Sequence, residues 1–513
     1  MRISLVNVNL IAEDAIGQCL LNQIRFFRRR GDDVQVYTMH PPQGVPEDVE
    51  GLNREVSLAD LIERRHEHFA RSDLYVYHYP GRYPLIETIK GLDRGAVVFY
   101  YHNVTPAELW QSPSEQEALR HSRESVGSLV HYADLVVTPS PFNAEQLVEQ
   151  FGCDRDRIEV LPLAVSLDDF SPGARDLSLL QRYSLEGRRV ILFVGRMAPN
   201  KRIDLLVEAL SLVKREVANA MLLLVGDKEG NSAIRETVVQ ARSRADELGV
   251  TEDVVFTGTV EALPPYYRLA DVYATASLHE GFGVPLIEAM ASGVPVVASR
   301  ATAHPWVAGE AGLLAEPGDP GDLADKILRV LDDDGLCGNL VRDGLTRARE
   351  FSLEHYEAEW RRIVSEVTAW LPDQPYPRPR SLSAQQVGTD YGAEGEKQAS
   401  MLHEILLNGE LGQLEAAADV MMRDYKVRSR VPLVGGLIAW FRRNLTSHLR
   451  GPYIDPTFRR QVAFNDQMVE WLTRALEFWA KSDQERAELE DRVKSLEAQV
   501  DALARRLDGE EPS

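Results

Sequence analysis

Short apolar runs alternate with helical stretches through the first 370 residues, and that alternation restricts the chain to parallel sheets covered by helices on both faces. The first series of strand-like runs is Ile3–Val8, Val34–Thr38, Leu74–His78, Val97–His102 and Leu135–Pro139, with helices such as Ile16–Arg30 and Phe142–Phe151 between them. A second series follows, at Val190–Val194, Met221–Val225, Val254–Phe256, Val272–Ala276 and Val294–Ala298. The segment from Ile158-Glu-Val-Leu-Pro162 through a polar stretch to about Gly187 reads as the connection between the two series. Leu353–Trp370 reads as a helix closing the second. Open α/β sheets bind ligands beyond the carboxyl ends of their strands, so two such domains predict a cleft between those ends.

Two motifs fall where that cleft is expected. Leu278 to Val297 reads LHEGFGVPLIEAMASGVPVV and sets Glu280 and Glu288 eight positions apart. Glu280 follows the run Asp271–Ser277, and Glu288 lies one turn into a helix opened by Pro285, a residue well tolerated at a helix start. Glycines let backbone approach a ligand, and a helix N-terminus favours negative charge. A sugar joined to a diphosphate suits this pattern: amides face phosphate and carboxylates accept from hydroxyls. The competing reading makes Glu280 a solvated loop acid and Glu288 a helix-surface residue. The second motif, ILFVGRMAPNKRID, carries Arg196 and Lys201 on either side of a turn that follows an apolar strand. Two cations there can hold a diphosphate leaving group. They can also be ordinary surface charges.

Together these segments resemble the signature of the retaining glycosyltransferases of family 4, which have the GT-B fold: α/β, with two Rossmann-like domains facing across a cleft. The resemblance covers about residues 1 to 370 and is strongest from Val190 to Leu314. It implies an N-terminal acceptor-side domain over residues 1–175 and a nucleotide-sugar donor domain over 188–352. The helix over 353–370 would cross back to the first domain. The paired-glutamate motif matches Glu280 and Glu288, and the phosphate-binding pair matches Arg196 and Lys201. The resemblance implies that Glu280 orients the donor sugar, that Glu288 accepts from ribose hydroxyls, and that Gly281, Phe282, Gly283 and Val284 form the turn against the donor. It also places Gly17 near the donor phosphates, His102 near the reacting sugar, and Gly226 and Thr259 beside the nucleotide. Three departures stand out. The loop NLIAEDAIGQ has one glycine where the family has two or three. Gly226-Asp227-Lys228 replaces Gly-x-Gly, and Trp306 stands where the family often has an acid. Gly17 reads equally as a helix-opening glycine without a ligand; for His102 the competing reading is a structural histidine, and its place at the end of an apolar strand favours function.

The implied chemistry is transfer of a sugar to a hydroxyl with retention, the cations stabilising charge on the departing diphosphate. No cofactor or divalent metal is expected beyond the nucleotide sugar itself. Asp332–Asp334 is the one acidic run, and it reads as a solvated turn at a helix end. A formal net charge of −22 argues against general nucleic-acid binding. Cys19, Cys153 and Cys337 have no metal-ligand spacing and read as reduced thiols of a cytoplasmic protein. Met1 runs straight into a strand, with no signal-like segment, and no apolar run has the length of a membrane span.

The last third departs from this pattern. Residues 371–400 read as a linker. Residues 401–480 read as a helical, basic region that either lies against anionic membrane through Trp440 and Phe441 or docks on the enzyme's own acidic surface. Residues 481–510 carry Leu489, Val493, Leu496, Val500, Leu503 and Leu507 at alternating spacings of four and three, a coiled-coil seam that predicts a homo-oligomer. An amphipathic helix packed on its own chain is the alternative. The functional expectation is a retaining glycosyltransferase acting on a glycan or lipid-linked acceptor in bacterial surface polysaccharide or glycolipid assembly. Its rivals are a phosphorylase-type enzyme of the same fold, a non-catalytic scaffold with a vestigial cleft, and a nucleic-acid role for the basic region alone.

Overall fold

The structure, a computed structural model, describes residues 1–369; the linker, basic region and coiled-coil seam read from the sequence lie outside the described residues. Seven parallel strands make the first sheet: β1 (Arg2–Val6), β2 (Asp33–Thr38), β3 (Asn53–Glu55), β4 (Leu74–Tyr79), β5 (Ala96–Tyr101), β6 (Leu135–Thr138) and β7 (Ile158–Val160). Their spatial order is β3-β2-β1-β4-β5-β6-β7. Six more form the second sheet: β8 (Arg189–Val194), β9 (Ala220–Val225), β10 (Val254–Gly258), β11 (Val272–Thr275), β12 (Val296–Ser299) and β13 (Gly312–Ala315), in the order β10-β9-β8-β11-β12-β13. Strands such as AVVFYY and AMLLLV are buried along their whole length because helices cover both faces.

In each sheet the order reverses at a central strand. Ile3 of β1 pairs with Val34 on one side and Leu74 on the other, and Ile191 of β8 pairs with Leu222 and Val272. A parallel sheet opens a crevice at such a reversal. The loops leaving β1, β8 and β11 are therefore the ones placed to meet a ligand.

The expected interdomain connection begins later than the sequence suggests. Ile158–Val160 is the edge strand of the first sheet, paired with Val136–Thr138. It is three residues long with one polar position, too little pattern to separate it from the loop that follows. The outgoing and returning crossings meet, with Val165 N–H donating to the Phe351 carbonyl at 2.9 Å. After the return, the Leu353–Ala369 helix lies on the first domain. Its fully buried Trp360 stacks edge-on to Phe27 at 5.7 Å and packs 6.2 Å from Tyr100, while Arg362 pairs with Glu159.

Candidate active site

The exits of β8 and β9 approach so closely that only glycine fits: a Cβ on Gly226 would sit 2.1 Å from the Gly195 carbonyl oxygen. Beyond Gly195 the chain presents Arg196 to solvent, then turns through Pro199–Lys201. Buried Asn200 ties this loop to the end of β11, its Nδ2 donating to the His279 carbonyl at 2.9 Å and its carbonyl accepting from Leu278 N–H at 2.9 Å. That tie brings the Lys201 ammonium onto the Glu280 carboxylate. Both side chains are mostly buried, at 20% and 16% exposure. Burial pushes Glu280 up, but Lys201, the His304 imidazole and the Ser277 hydroxyl outweigh it and hold the carboxyl below its usual range. Thr302, at φ 50°, clasps the same residue: its hydroxyl accepts from Glu280 N–H and donates to the Glu280 carbonyl, each at 2.8 Å.

Gly281, Phe282 and Gly283 then turn the chain into the Val284–Ala291 helix. Gly283 is left-handed at φ 109° and caps the helix without a side chain, leaving the helix N-terminal amides without a side-chain cap. One turn on, Glu288 accepts from the Tyr267 hydroxyl at 2.6 Å, and burial raises its carboxyl to about 7. Phe282 is buried between Trp306 at 6.3 Å and Phe351 at 5.7 Å, with the Arg347 guanidinium over both of those rings. Trp306, the departure noted in the sequence, is thus a wall of the turn's hydrophobic support.

Across the cleft stands the loop after β1. Gly17 lies in the first turn of the Ala15–Arg29 helix, where a Cβ would fall 1.6 Å from the Ile11 carbonyl oxygen, and its amide donates to Asp14 Oδ1 at 2.6 Å. Close backbone approach requires glycine at this position, and Asp14 accepts from its amide. Burial raises the Asp14 carboxyl, against the Gly17 amide and the Arg196 charge. The Arg196 carbonyl accepts from Ala198 N–H at 2.8 Å, but its exposed guanidinium has no hydrogen-bond or ion-pair partner among the described residues, so it remains available to a ligand. His102 follows β5, stacked on Tyr100 with ring centroids 4.4 Å apart, and its Nδ1 is buried without a partner. Burial lowers its imidazole to about 3. Thr259 is exposed just beyond β10, and Gly226 N–H donates to the Gly258 carbonyl at 3.1 Å. Asp227 closes its own turn, accepting from the amides of Glu229 and Gly230.

The two sides touch beside Glu280. Ser140 Oγ and Asn143 Nδ2 donate to the Gly281 carbonyl at 2.8 and 3.0 Å, and Asn103 Oδ1 accepts from His279 Nε2 at 2.7 Å. Lys201, Glu280 and the glycine turn therefore share one locus, with His102 at its far wall and Glu288 one helical turn deeper. Sequence reasoning passed over Asn103, Ser140, Asn143, His279, Thr302 and Tyr267. Nothing in the local sequence marks them, although Asn103 and Thr302 both adopt left-handed backbone, at φ 79° and 50°. Asp332–Asp334 spans a helix junction, where Asp333 caps the following helix through the Leu336 amide at 2.9 Å.

The chain matches two family models, described as Glycosyltransferase Family 4 over residues 16–169 and Glycosyl transferases group 1 over residues 188–333. The O-antigen chain mannosyltransferase B of Escherichia coli is 31% identical over 303 residues, covering 58% of this chain and 76% of the relative. The mannosylfructose-phosphate synthase of Agrobacterium fabrum is 34% identical over 227 residues, 42% of this chain and about half (49%) of the relative. In shape the chain is similar to Anabaena HepE solved with UDP-glucose, with a TM-score of 0.59 at 19% identity, covering 71% of this chain and 99% of that one.

Proposed function

This chain belongs to the family 4 glycosyltransferases, the group 1 transferases of GT-B fold, and from that premise we propose that it moves a sugar from a nucleoside-diphosphate donor to a hydroxyl with retention at the anomeric carbon. The observation that carries the proposal is the pairing of Lys201 with Glu280 just ahead of the uncapped Val284–Ala291 helix, with Arg196 exposed on the loop that leads to Lys201. As the glycosidic bond breaks, negative charge builds on the diphosphate. Two cations and a helix N-terminus stabilise that charge where it develops, which lowers the barrier rather than merely tightening ground-state binding. Glu280, held ionised by Lys201, accepts from sugar hydroxyls and fixes the donor's orientation. Glu288 takes the ribose hydroxyls, and His102 faces the transferred sugar. These cations supply the charge that a divalent ion supplies elsewhere, so EDTA should leave turnover unchanged.

The acceptor belongs to a growing glycan or lipid-linked saccharide, a reading supported by the relative that acts on O-antigen chains. Residues 401–480 would bring the enzyme to anionic lipid, and residues 481–510 would join copies of it. Vesicle flotation with and without anionic lipid tests the first, and light scattering of a chain ending at 480 tests the second.

A thermal-shift screen with UDP, GDP, ADP, CMP and dTDP tests the donor site. A ligand that binds only the folded state raises the midpoint with concentration. One nucleotide should do so, and Arg196→Ala should abolish the shift. No shift from any nucleotide in a folded sample would overturn the proposal. Retention is read separately, from the anomeric configuration of product by NMR.

A further inference from the structure

The partnerless Nδ1 of His102 has a cause deeper in the first domain. Gln23, on the Ala15–Arg29 helix, places its side-chain oxygen 2.9 Å from His78 Nε2. His78, on β4, places its Nδ1 2.8 Å from His102 Nε2. Gln23 Oε1 can only accept, so His78 carries its proton on Nε2. A neutral imidazole has one N–H, so His78 Nδ1 is a lone pair, and His102 must donate to it from Nε2. The same rule then leaves His102 Nδ1 as a bare acceptor, the atom found buried without a partner. Burial keeps both rings neutral, which secures the one-proton count.

Cys19 lies beside the same pair and raises the thought of a metal ion. The two rings already share a hydrogen bond at 2.8 Å. Two nitrogens on one tetrahedral zinc, each bound at about 2.0 Å, stand about 3.3 Å apart, so the geometry favours the hydrogen bond. Cys19 is instead occupied by the Tyr356 hydroxyl at 3.3 Å.

We propose that Gln23 and His78 are positioning residues that fix the tautomer of His102, so that its Nδ1 accepts a hydrogen bond from a hydroxyl of the transferred sugar and cannot donate one. The proposal rests on the glycosyltransfer reading for its ligand, but the tautomer itself does not. The arrangement selects a hydroxyl, which can donate, over a carbonyl or ether oxygen at that point of the sugar, which cannot.

The first test is independent of any substrate. Full-length protein labelled with 15N in histidine, with the His102 ring signals assigned by their loss in His102→Gln, should show His102 protonated on Nε2 and bare on Nδ1 from pH 6 to 8. In Gln23→Leu that single tautomer should give way to a mixture. Protonation of Nδ1 in the wild type, or an unchanged tautomer in Gln23→Leu, would overturn the proposal.

The second test reads turnover of GDP-mannose and UDP-glucose as released nucleoside diphosphate. Gln23→Leu should lose about tenfold in kcat with the donor KM within about twofold, the loss of one neutral hydrogen bond. The loss in kcat should accompany the loss of the single His102 tautomer seen by NMR. A merely structural glutamine predicts slower turnover with the tautomer intact, and that outcome would overturn the idea. If neither donor is turned over by the wild type, the failure lies with the glycosyltransfer reading, and the NMR result still decides the tautomer.

Discussion

Lys201 and Arg196 were read from the sequence as a matched pair of cations, yet their surroundings make them different residues. Lys201 neutralises a mostly buried carboxylate, so Lys201→Ala strands Glu280 without its counter-charge and should cost about 2 kcal/mol of stability besides activity. Arg196 supports nothing in the fold. Arg196→Ala should leave the urea midpoint unchanged while lowering kcat about a hundredfold, the price of one contact to transition-state charge. Equal stability losses in the two variants would sink the distinction. Glu288 gives a pH prediction. Its folded carboxyl is raised to about 7 from an ordinary 4.5, so the folded state holds a proton that the unfolded chain has released. The stability it contributes is complete below about pH 4.5 and is lost as pH rises through 7. Glu288→Gln should therefore be more stable than wild type at pH 8, by roughly 3 kcal/mol, and no more stable at pH 4.5. Nucleotide affinity of the wild type should rise from pH 6 to 8, as the carboxylate forms, and this rise should be absent in the variant. Parallel pH profiles of the two proteins would remove Glu288 from the ribose site.

At the scale of elements, legibility follows burial. Strands such as Arg189–Val194 and Ala220–Val225 announce themselves because both faces are covered and nearly every position must be apolar. The edges are silent: Asn53–Glu55 is Asn-Arg-Glu, and Gly312–Ala315 starts with glycine, so nothing in their composition separates strand from loop. The site divides the same way. Glu280 and Lys201 stand in local motifs, whereas the Asn103–His279 bond joins residues 176 positions apart and leaves no trace in either segment. Gly17 shows the limit of a motif, because the close approach of the Ile11 carbonyl requires glycine there whether or not a ligand binds. The Leu353–Ala369 helix carries a further expectation. Trp360 is fully buried against Phe27, Tyr100 and Tyr356, so a residue that follows the second domain in sequence belongs to the core of the first. Trp360→Ala should cost about 4 kcal/mol in denaturant unfolding. The loss should appear in the transition that exposes the first sheet, followed by hydrogen exchange at Ala96–Tyr101; protection lost only in the second sheet would contradict this placement.

At the scale of the whole molecule, the two domains meet most closely at Gly281, beside the Asn103–His279 bond. The Gly281 carbonyl takes two donors from the first domain, and its Cα lies so near the facing backbone that an added Cβ would come within 2.7 Å of both Asn103 Cβ and the His102 carbonyl oxygen. Gly281 itself does not have left-handed backbone, unlike Gly283, so alanine can be accommodated locally without strain. The added methyl obstructs the approach of the first domain at Asn103 and His102. Gly281→Ala should therefore fold with a thermal midpoint close to wild type, yet show a larger radius of gyration in solution scattering because the latch cannot seat. Catalysis needs Glu280 and Lys201 on one side and His102 on the other within reach of the same sugar. Misplacing them by about an ångström should lower kcat/KM about a hundredfold. Asn143→Ala, which deletes one donor and adds no obstruction, should do the same more weakly. The pairing of effects is what discriminates. If Gly281→Ala scatters like wild type but is inactive, the glycine acts on the ligand directly; if it is open and fully active, closure at this contact is not part of turnover.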